Sequence, residues 1–186
     1  MSSILKDKYK KEIIPRLKET FGYKNDLAVP RVEKVVVSVG LGDIIKSKKR
    51  GALEKAVENL MLVTGQKPVF TRAKKAISNF NIRKNDVVGM LVTLRKDRMY
   101  DFLYRLANIV LPRVRDFQGI RLSSFDGQGN VSIGLKEHAV FLEVESDDVE
   151  KVFGMQVTIR TSARDNKEGL KLIKLLGFPI RKGARS

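Results

Sequence analysis

The run Lys34–Val39, KVVVSV, constrains the chain more than any other feature. Four of its six residues are valines, whose β-branched side chains are stiff in a helix and well suited to a pleated surface. The run therefore reads as a strand, buried on both faces or nearly so, ended by Gly40-Leu41-Gly42. Shorter extended segments are expected at 68–72 and 88–94. At 155–161 Met155, Val157, Ile159 and Thr161 alternate with Gln156, Thr158 and Arg160, the period of a half-buried strand. Helical periodicity fills the spaces between. Leu5, Tyr9, Ile13, Leu17 and Phe21 recur every four residues, an amphipathic helix interrupted or kinked at Pro15. A second helix is expected over about 50–64, with Leu53, Val57, Leu60 and Met61 on its apolar side. A third is expected from a cap at Asp97 to a stop before Pro112. A fourth opens on the capping-box pair Asp165 and Glu168 and closes at Gly177. No regular strand–helix–strand repeat runs through the chain, so the class is α+β. The expected form is a single domain over 1–186, with a mostly antiparallel sheet, helices packed on one face and a basic loop between two strands. The other sheet face, carrying Gln156, Thr158, Arg160, Ser162 and Arg164, should be open to a ligand.

Charge narrows what that ligand is. Lys and Arg number 37 against 21 Asp and Glu, a net of +16 in 186 residues, which points to nucleic acid first and an anionic membrane second. Its distribution is uneven. Residues 1–136 hold 28 basic and 13 acidic side chains for +15; residues 137–159 hold Lys151 against six acids for −5; residues 160–186 hold 8 against 2 for +6. The acidic segment cannot favourably face the polyanion that the rest attracts. With 42% hydrophobic residues, the chain is too apolar for a disordered basic tail. No stretch approaches the roughly 18 apolar residues of a membrane span, and the N-terminus lacks the apolar core of a signal peptide. Synthesis and use in one compartment are expected. Cysteine is absent and His138 is the only histidine, which excludes a disulfide framework, a thiol nucleophile and multi-histidine metal sites. No cofactor or metal is expected.

The segment 67–84, KPVFTRAKKAISNFNIRK, carries six cations and no acid. Cations neutralise phosphates, and an exposed aromatic such as Phe80 can stack on a base or ribose. The competing reading is a solvated hairpin loop with Phe80 packed inward. Gly40-Leu41-Gly42 lacks the rest of a dinucleotide fingerprint, and Asp126-Gly127-Gln128-Gly129-Asn130 lacks the glycine and acid of a calcium loop; both read as turns. Asp101, Asp116 and Asp126 are not paired at catalytic spacing, so no catalytic residues are assigned.

Several motifs occur in order: VPRVEKV (29–35), TGQKPV (64–69), NIRK (81–84), VTLR (92–95), LPRVRDFQG (111–119), SSFDGQGN (123–130) and GFP (177–179). Together they resemble the family of large-subunit ribosomal protein five, the 5S rRNA-binding ribosomal proteins, in its bacterial form, over about residues 5 to 182. The resemblance implies an α+β protein of the central protuberance, with 5S and 23S rRNA, P-site tRNA and large-subunit proteins eighteen and, where present, twenty-five as partners. It implies 5S rRNA contacts from Ser38, Gln66 and Thr93, with Arg95 as a phosphate partner. It also implies a tRNA-directed loop, Arg72 to Arg83, with Lys74, Lys75, Asn79 and Phe80 at its tip. A bridge to the basic small-subunit protein thirteen would use the acidic segment, with Glu143, Glu145, Asp147 and Asp148 as candidates. The location implied is the ribosome, cytoplasmic or organellar. The chain departs from the family pattern at Ser38, where Asn is usual, at Lys96, where Gly is usual, and in FLEV (141–144) and DFQG (116–119). Two other readings use the same charge: a general DNA- or RNA-binding regulator, and a nucleotide- or RNA-processing enzyme.

Overall fold

The computed structural model describes residues 3–42, 44, 51–80, 82–144 and 152–181. Five strands, β1 Val32–Gly40, β2 Val69–Arg72, β3 Val87–Leu94, β4 Val131–Leu135 and β5 Met155–Thr161, form one antiparallel sheet in the order β2-β3-β1-β5-β4. Four longer helices among the described residues accompany the sheet in this α+β fold. The first, α1, is α-helical over Ile4–Lys8, widens to a π segment over Tyr9–Ile13 and returns to α over Ile14–Phe21. The second, α2, spans Ala52–Thr64. The third, α3, repeats the pattern of the first: Lys96–Arg105, a π segment Leu106–Val110, then Leu111–Arg113. The fourth, α4, spans Asn166–Leu175.

Neither proline ends its helix. Each π segment lies just before Pro15 or Pro112, and the residue preceding the proline donates five residues back: Ile14 N–H to Tyr9 O, Leu111 N–H to Leu106 O. The widened turn makes room for the pyrrolidine ring, which would otherwise collide with the carbonyl four residues earlier. The expected stop before Pro112 is thus replaced by a further turn.

By contact density the chain forms two compact units, with boundaries at Val35/Val36, Thr93/Leu94, Ile133/Gly134 and Gln156/Val157. In the unit that holds α1, α3 and α4, α1 packs on α3. Leu5, Ile13 and Leu17 meet a core shared with Met99, Phe102, Leu103 and Leu106, and β5 adds Val157 and Ile159, all at most 2% exposed. Asp97 does not cap α3. Arg95 occupies the N-cap without a side-chain bond, and Asp97 pairs with Lys6 at 2.6 Å. At α4 the expected cap is present, with Glu168 N–H donating to Asp165 Oδ1 at 2.9 Å. The Glu168 carboxylate turns away from the cap residue to accept from Arg164 N–H and from the Tyr23 hydroxyl. Asp126 accepts from the Gln128 and Asn130 backbone amides and the Asn130 side chain, so DGQGN is a turn whose carboxylate is spent locally. The glycines Gly129 and Gly169 stack backbone on backbone, where any Cβ on Gly169 would overlap Gly129.

In the unit that holds α2, the β1 residues Val37 and Val39, the β3 residues Met90 and Val92, and Ala56, Leu60 and Val63 of α2 are buried. The helix presents Ala56, Leu60 and Val63 inward, while Met61, expected on that side, is exposed. His138 is 1% exposed. It stacks on Phe153 with ring centroids 3.7 Å apart, Nδ1 accepting from Phe153 N–H and Nε2 lying 3.3 Å from the Asn59 amide nitrogen. It is a core residue.

Candidate nucleic-acid interface

The strand expected to be buried on both faces is buried on one. Along β1, Val35, Val37 and Val39 are fully buried, whereas Lys34, Val36 and Ser38 are half-buried. The β2–β3 register pairs Val69 with Leu91 and Thr71 with Gly89, so these four residues share a face. Strand alternation adds Thr93 to that face. Around Ser38, Gly40, Thr71, Gly89, Leu91, Gly134 and Gln156 it forms an open hollow of about 550 Å³. Four glycines lining it, Gly40, Gly89, Gly134 and Gly154, leave backbone where side chains would stand. At Gly89 the reason is steric, because a Cβ would come within 2.9 Å of both Thr71 Oγ1 and Val39 O. A glycine floor admits another chain's backbone closely.

Ser38 sits in this hollow, its hydroxyl 3.5 Å from Gln156 O, a distance at which it is barely engaged. Thr93 lies on the same face, half-buried. Gln66 does not line the hollow; it is half-buried on the turn leaving α2. That turn is fixed by Gly65, left-handed at φ 67, and by Thr64, whose hydroxyl donates to Leu60 O at 2.6 Å and accepts from Gln66 N–H at 3.4 Å. Gln66 therefore has a defined backbone position. Arg95 is exposed just before α3 in the other unit. In that unit the polar positions of β5 are already engaged: Arg160 faces Glu33 at 3.4 Å, Ser162 accepts from Arg31 N–H, and Ser132 bonds Thr158 at 3.0 Å. The open face is expected at Gln156, Thr158, Arg160, Ser162 and Arg164; of these, Gln156 lines the hollow.

Between β2 and β3 the basic segment is a narrow-necked hairpin. Ala73 and the Asn85–Asp86 pair exchange backbone bonds of 2.8 and 2.9 Å, and farther out Ile77 and Ile82 exchange two more of 2.9 and 3.1 Å. Asn85 adopts φ 74, where Asn is tolerated, and its carbonyl accepts from the Arg72 guanidinium. Lys74 and Lys75 are exposed beside the neck, not at the tip, which the 3-10 turn Ser78–Phe80 forms with Asn79 exposed at its centre. Phe80 is 58% exposed and Ile77 47%, so the aromatic does not pack inward. Arg83 is exposed, its backbone N–H bound to the Asp86 carboxylate. Of the acidic segment, Glu143 is half-buried, while Glu145, Asp147 and Asp148 lie outside the described residues.

No cluster of three or more His, Asp or Glu that could hold a metal occurs among the described residues, and none of their helices is long and apolar enough to cross a membrane. Comparison with known proteins decides the family. Residues 25–83 match the model described as ribosomal protein L5, and residues 87–180 match the ribosomal L5P family C-terminus. The large ribosomal subunit protein uL5 of Halothermothrix orenii is 51% identical over 178 residues, covering 96% of this chain and 98% of the relative. Those of Caldanaerobacter subterraneus subsp. tengcongensis (51%, covering 97% and 99%) and Desulforapulum autotrophicum (50%, covering 95% and 98%) are similar along nearly their whole length. The chain belongs to the ribosomal protein L5 family.

Members of the L5 family are structural, not enzymes. The two L5 models meet at the basic hairpin, after Arg83 and before Val87. Sequence reasoning did not single out Thr71, Gly89 or Gly134 of the hollow. Gly89 carried a usable signal, since a glycine inside an apolar strand marks a close approach of backbone; Thr71 needed the β2–β3 register.

Proposed function

We propose that this chain binds 5S rRNA in the central protuberance of the large ribosomal subunit through the open sheet face of the α2 unit, with Ser38, Gln66 and Thr93 as contacts and Arg95 as a phosphate partner. The observation that carries this reading is the hollow itself: a glycine-floored sheet face with the Ser38 hydroxyl barely engaged, in an L5-family chain of net charge +16. RNA helices present a wide, shallow minor groove with 2′-hydroxyls, recognised by shape and by small polar groups. Ser38 and Thr93 on this sheet face, with Gln66 on the turn leaving α2, are small polar groups that suit that target. The hairpin Arg72–Arg83 projects Phe80 and flanking cations from a closed neck, and it would reach the P-site tRNA with Lys74, Lys75 and Asn79. The acidic segment 137–159, with Glu143, Glu145, Asp147 and Asp148, would meet the basic small-subunit protein thirteen. Large-subunit proteins eighteen and twenty-five and 23S rRNA complete the assembly.

Gel-shift competition tests this. Excess duplex DNA should fail to displace 5S rRNA; equal affinity for the two would overturn the reading. Gln66→Ala and Thr93→Ala should each weaken 5S binding by ~1 kcal/mol, the net worth of one hydrogen bond, or about fivefold in Kd. A 5S affinity unchanged in both variants would remove the assigned contacts.

A further inference from the structure

Two motifs in the sequence have no part in the sheet-face reading: LPRVRDFQG (111–119), with the Ile120-Arg121 that follows, and GFP (177–179). The fold brings them together within the unit that holds α3 and α4. Ile120 N–H donates to Pro179 O at 2.8 Å and Arg181 N–H donates to Ile120 O at 2.9 Å, an isolated parallel bridge pairing Ile120 with Ile180. The approach requires Gly119, at φ 99, where a Cβ would stand 2.8 Å from Arg181 N. Ile120 is 3% exposed and turned into the core. In parallel neighbours the next residues share the opposite face, and Arg121 and Arg181 are both exposed there. Backbone bonds thus hold Arg121 and Arg181 at neighbouring positions of two paired segments, where like charges directly opposite each other cost stability with nothing between them. Neither arginine has a carboxylate at ion-pair distance among the described residues. Arg113 and Arg115, also exposed, add to the cation excess of the same stretch, and Asp116 is exposed without an ion pair there.

The geometry points to an RNA phosphate site at the Arg121–Arg181 clasp, separate from the sheet face of the α2 unit. Guanidinium forks match phosphate oxygens bidentately, and a phosphodiester between two of them would turn their repulsion into attraction. A phosphate is favoured over an acidic peptide because the chain as a whole is strongly cationic and belongs to a ribosomal family. The site needs only that the chain binds RNA; the particular contacts of the sheet face are not required. The phosphate could come from 5S rRNA or from the long rRNA of the large subunit.

Filter binding of the full chain to each of these RNAs, across a salt series, tests the inference. Arg121→Gln/Arg181→Gln should weaken binding to at least one RNA roughly tenfold, as expected for lost charge-assisted bonds. It should also lower the slope of log K against log salt by about 0.7–0.9, the value for the one phosphate neutralised. The RNA affected identifies the source. Arg121→Lys/Arg181→Lys should keep most of the salt slope while binding less tightly, and serves equally if the glutamine variant fails to fold. Lys10→Gln/Lys11→Gln, which removes the same charge from exposed positions of α1, should change neither quantity comparably. Equal losses in the α1 variant, no loss with either RNA, or displacement of RNA by polyglutamate as readily as by competitor RNA would overturn the clasp. Failure of the sheet-face reading would appear instead as unchanged 5S binding in Gln66→Ala and Thr93→Ala.

Discussion

At the scale of one residue, His138 shows how burial fixes a protonation state. Its ring lies flat on Phe153, and Nδ1 accepts the Phe153 N–H, so the neutral imidazole is the form that fits. Burial lowers its pKa below the ordinary 6.5. The unfolded chain takes up a proton near pH 6.5 that the folded chain refuses. This contribution to stability is therefore complete above about pH 6.5 and is lost as pH falls toward the lowered folded value. One group can contribute a slope of at most about 1.4 kcal/mol per pH unit. Urea midpoints compared at pH 7.5 and 5.0 should fall for the wild type, and fall less for His138→Phe, which retains the stacking surface and cannot titrate. An undiminished fall in the variant would mean that the pH response belongs to other groups. The sequence showed a lone histidine beside Glu137; its burial depended on Phe153 and Asn59, both distant in sequence.

At the scale of elements, under the proposed function the hairpin between β2 and β3 and the sheet face meet two different RNA partners, a division that charge alone does not make. Its neck is closed by backbone bonds at Ala73 and at Ile77–Ile82, and all its cations project to solvent. Reversing charge with Lys74→Glu and Lys75→Glu should leave the β2–β3 register intact, leave 5S rRNA affinity within about twofold, and weaken footprints on P-site tRNA in reconstituted ribosomes. Parallel loss of both would show that hairpin and sheet face form one RNA surface. Most elements were legible from local pattern. The β-branched run of β1, the alternation of β5 and the four-residue period of α1 all stood where expected. The strand β4 was not recognised, because VSIGL is short and follows a glycine-rich turn that drew attention to itself. Nor was the passage of α3 through Pro112, because a π segment has no sequence period of its own and is defined by which carbonyl the next amide finds. The expected tip position of Lys74 and Lys75 failed for a related reason: the Ile77–Ile82 pairing that extends the neck joins residues inside what composition presents as one loop.

At the scale of the whole molecule, the net charge of +16 combines sequence segments of opposite sign, and their opposition is itself testable. On the proposed reading the acidic segment, at −5, should repel the polyanion that the rest of the chain attracts and so lower indiscriminate binding to nucleic acid. Glu145→Gln, Asp147→Asn and Asp148→Asn together raise the net charge from +16 by three to +19. Affinity for duplex DNA should rise severalfold at low salt, and the gain should shrink as salt screens it over the ~8 Å Debye length of physiological ionic strength. Affinity for 5S rRNA should hold or rise slightly, so the ratio between specific and non-specific binding should fall. The same variant should associate more slowly with the basic small-subunit protein thirteen, since opposite charge acts chiefly on the encounter rate. Gel-shift titrations at two salt concentrations and stopped-flow association with that protein measure both halves. A drop in 5S affinity would place the acidic segment at the RNA interface and overturn the division of charge, whereas an unchanged association rate would remove the segment from the protein contact.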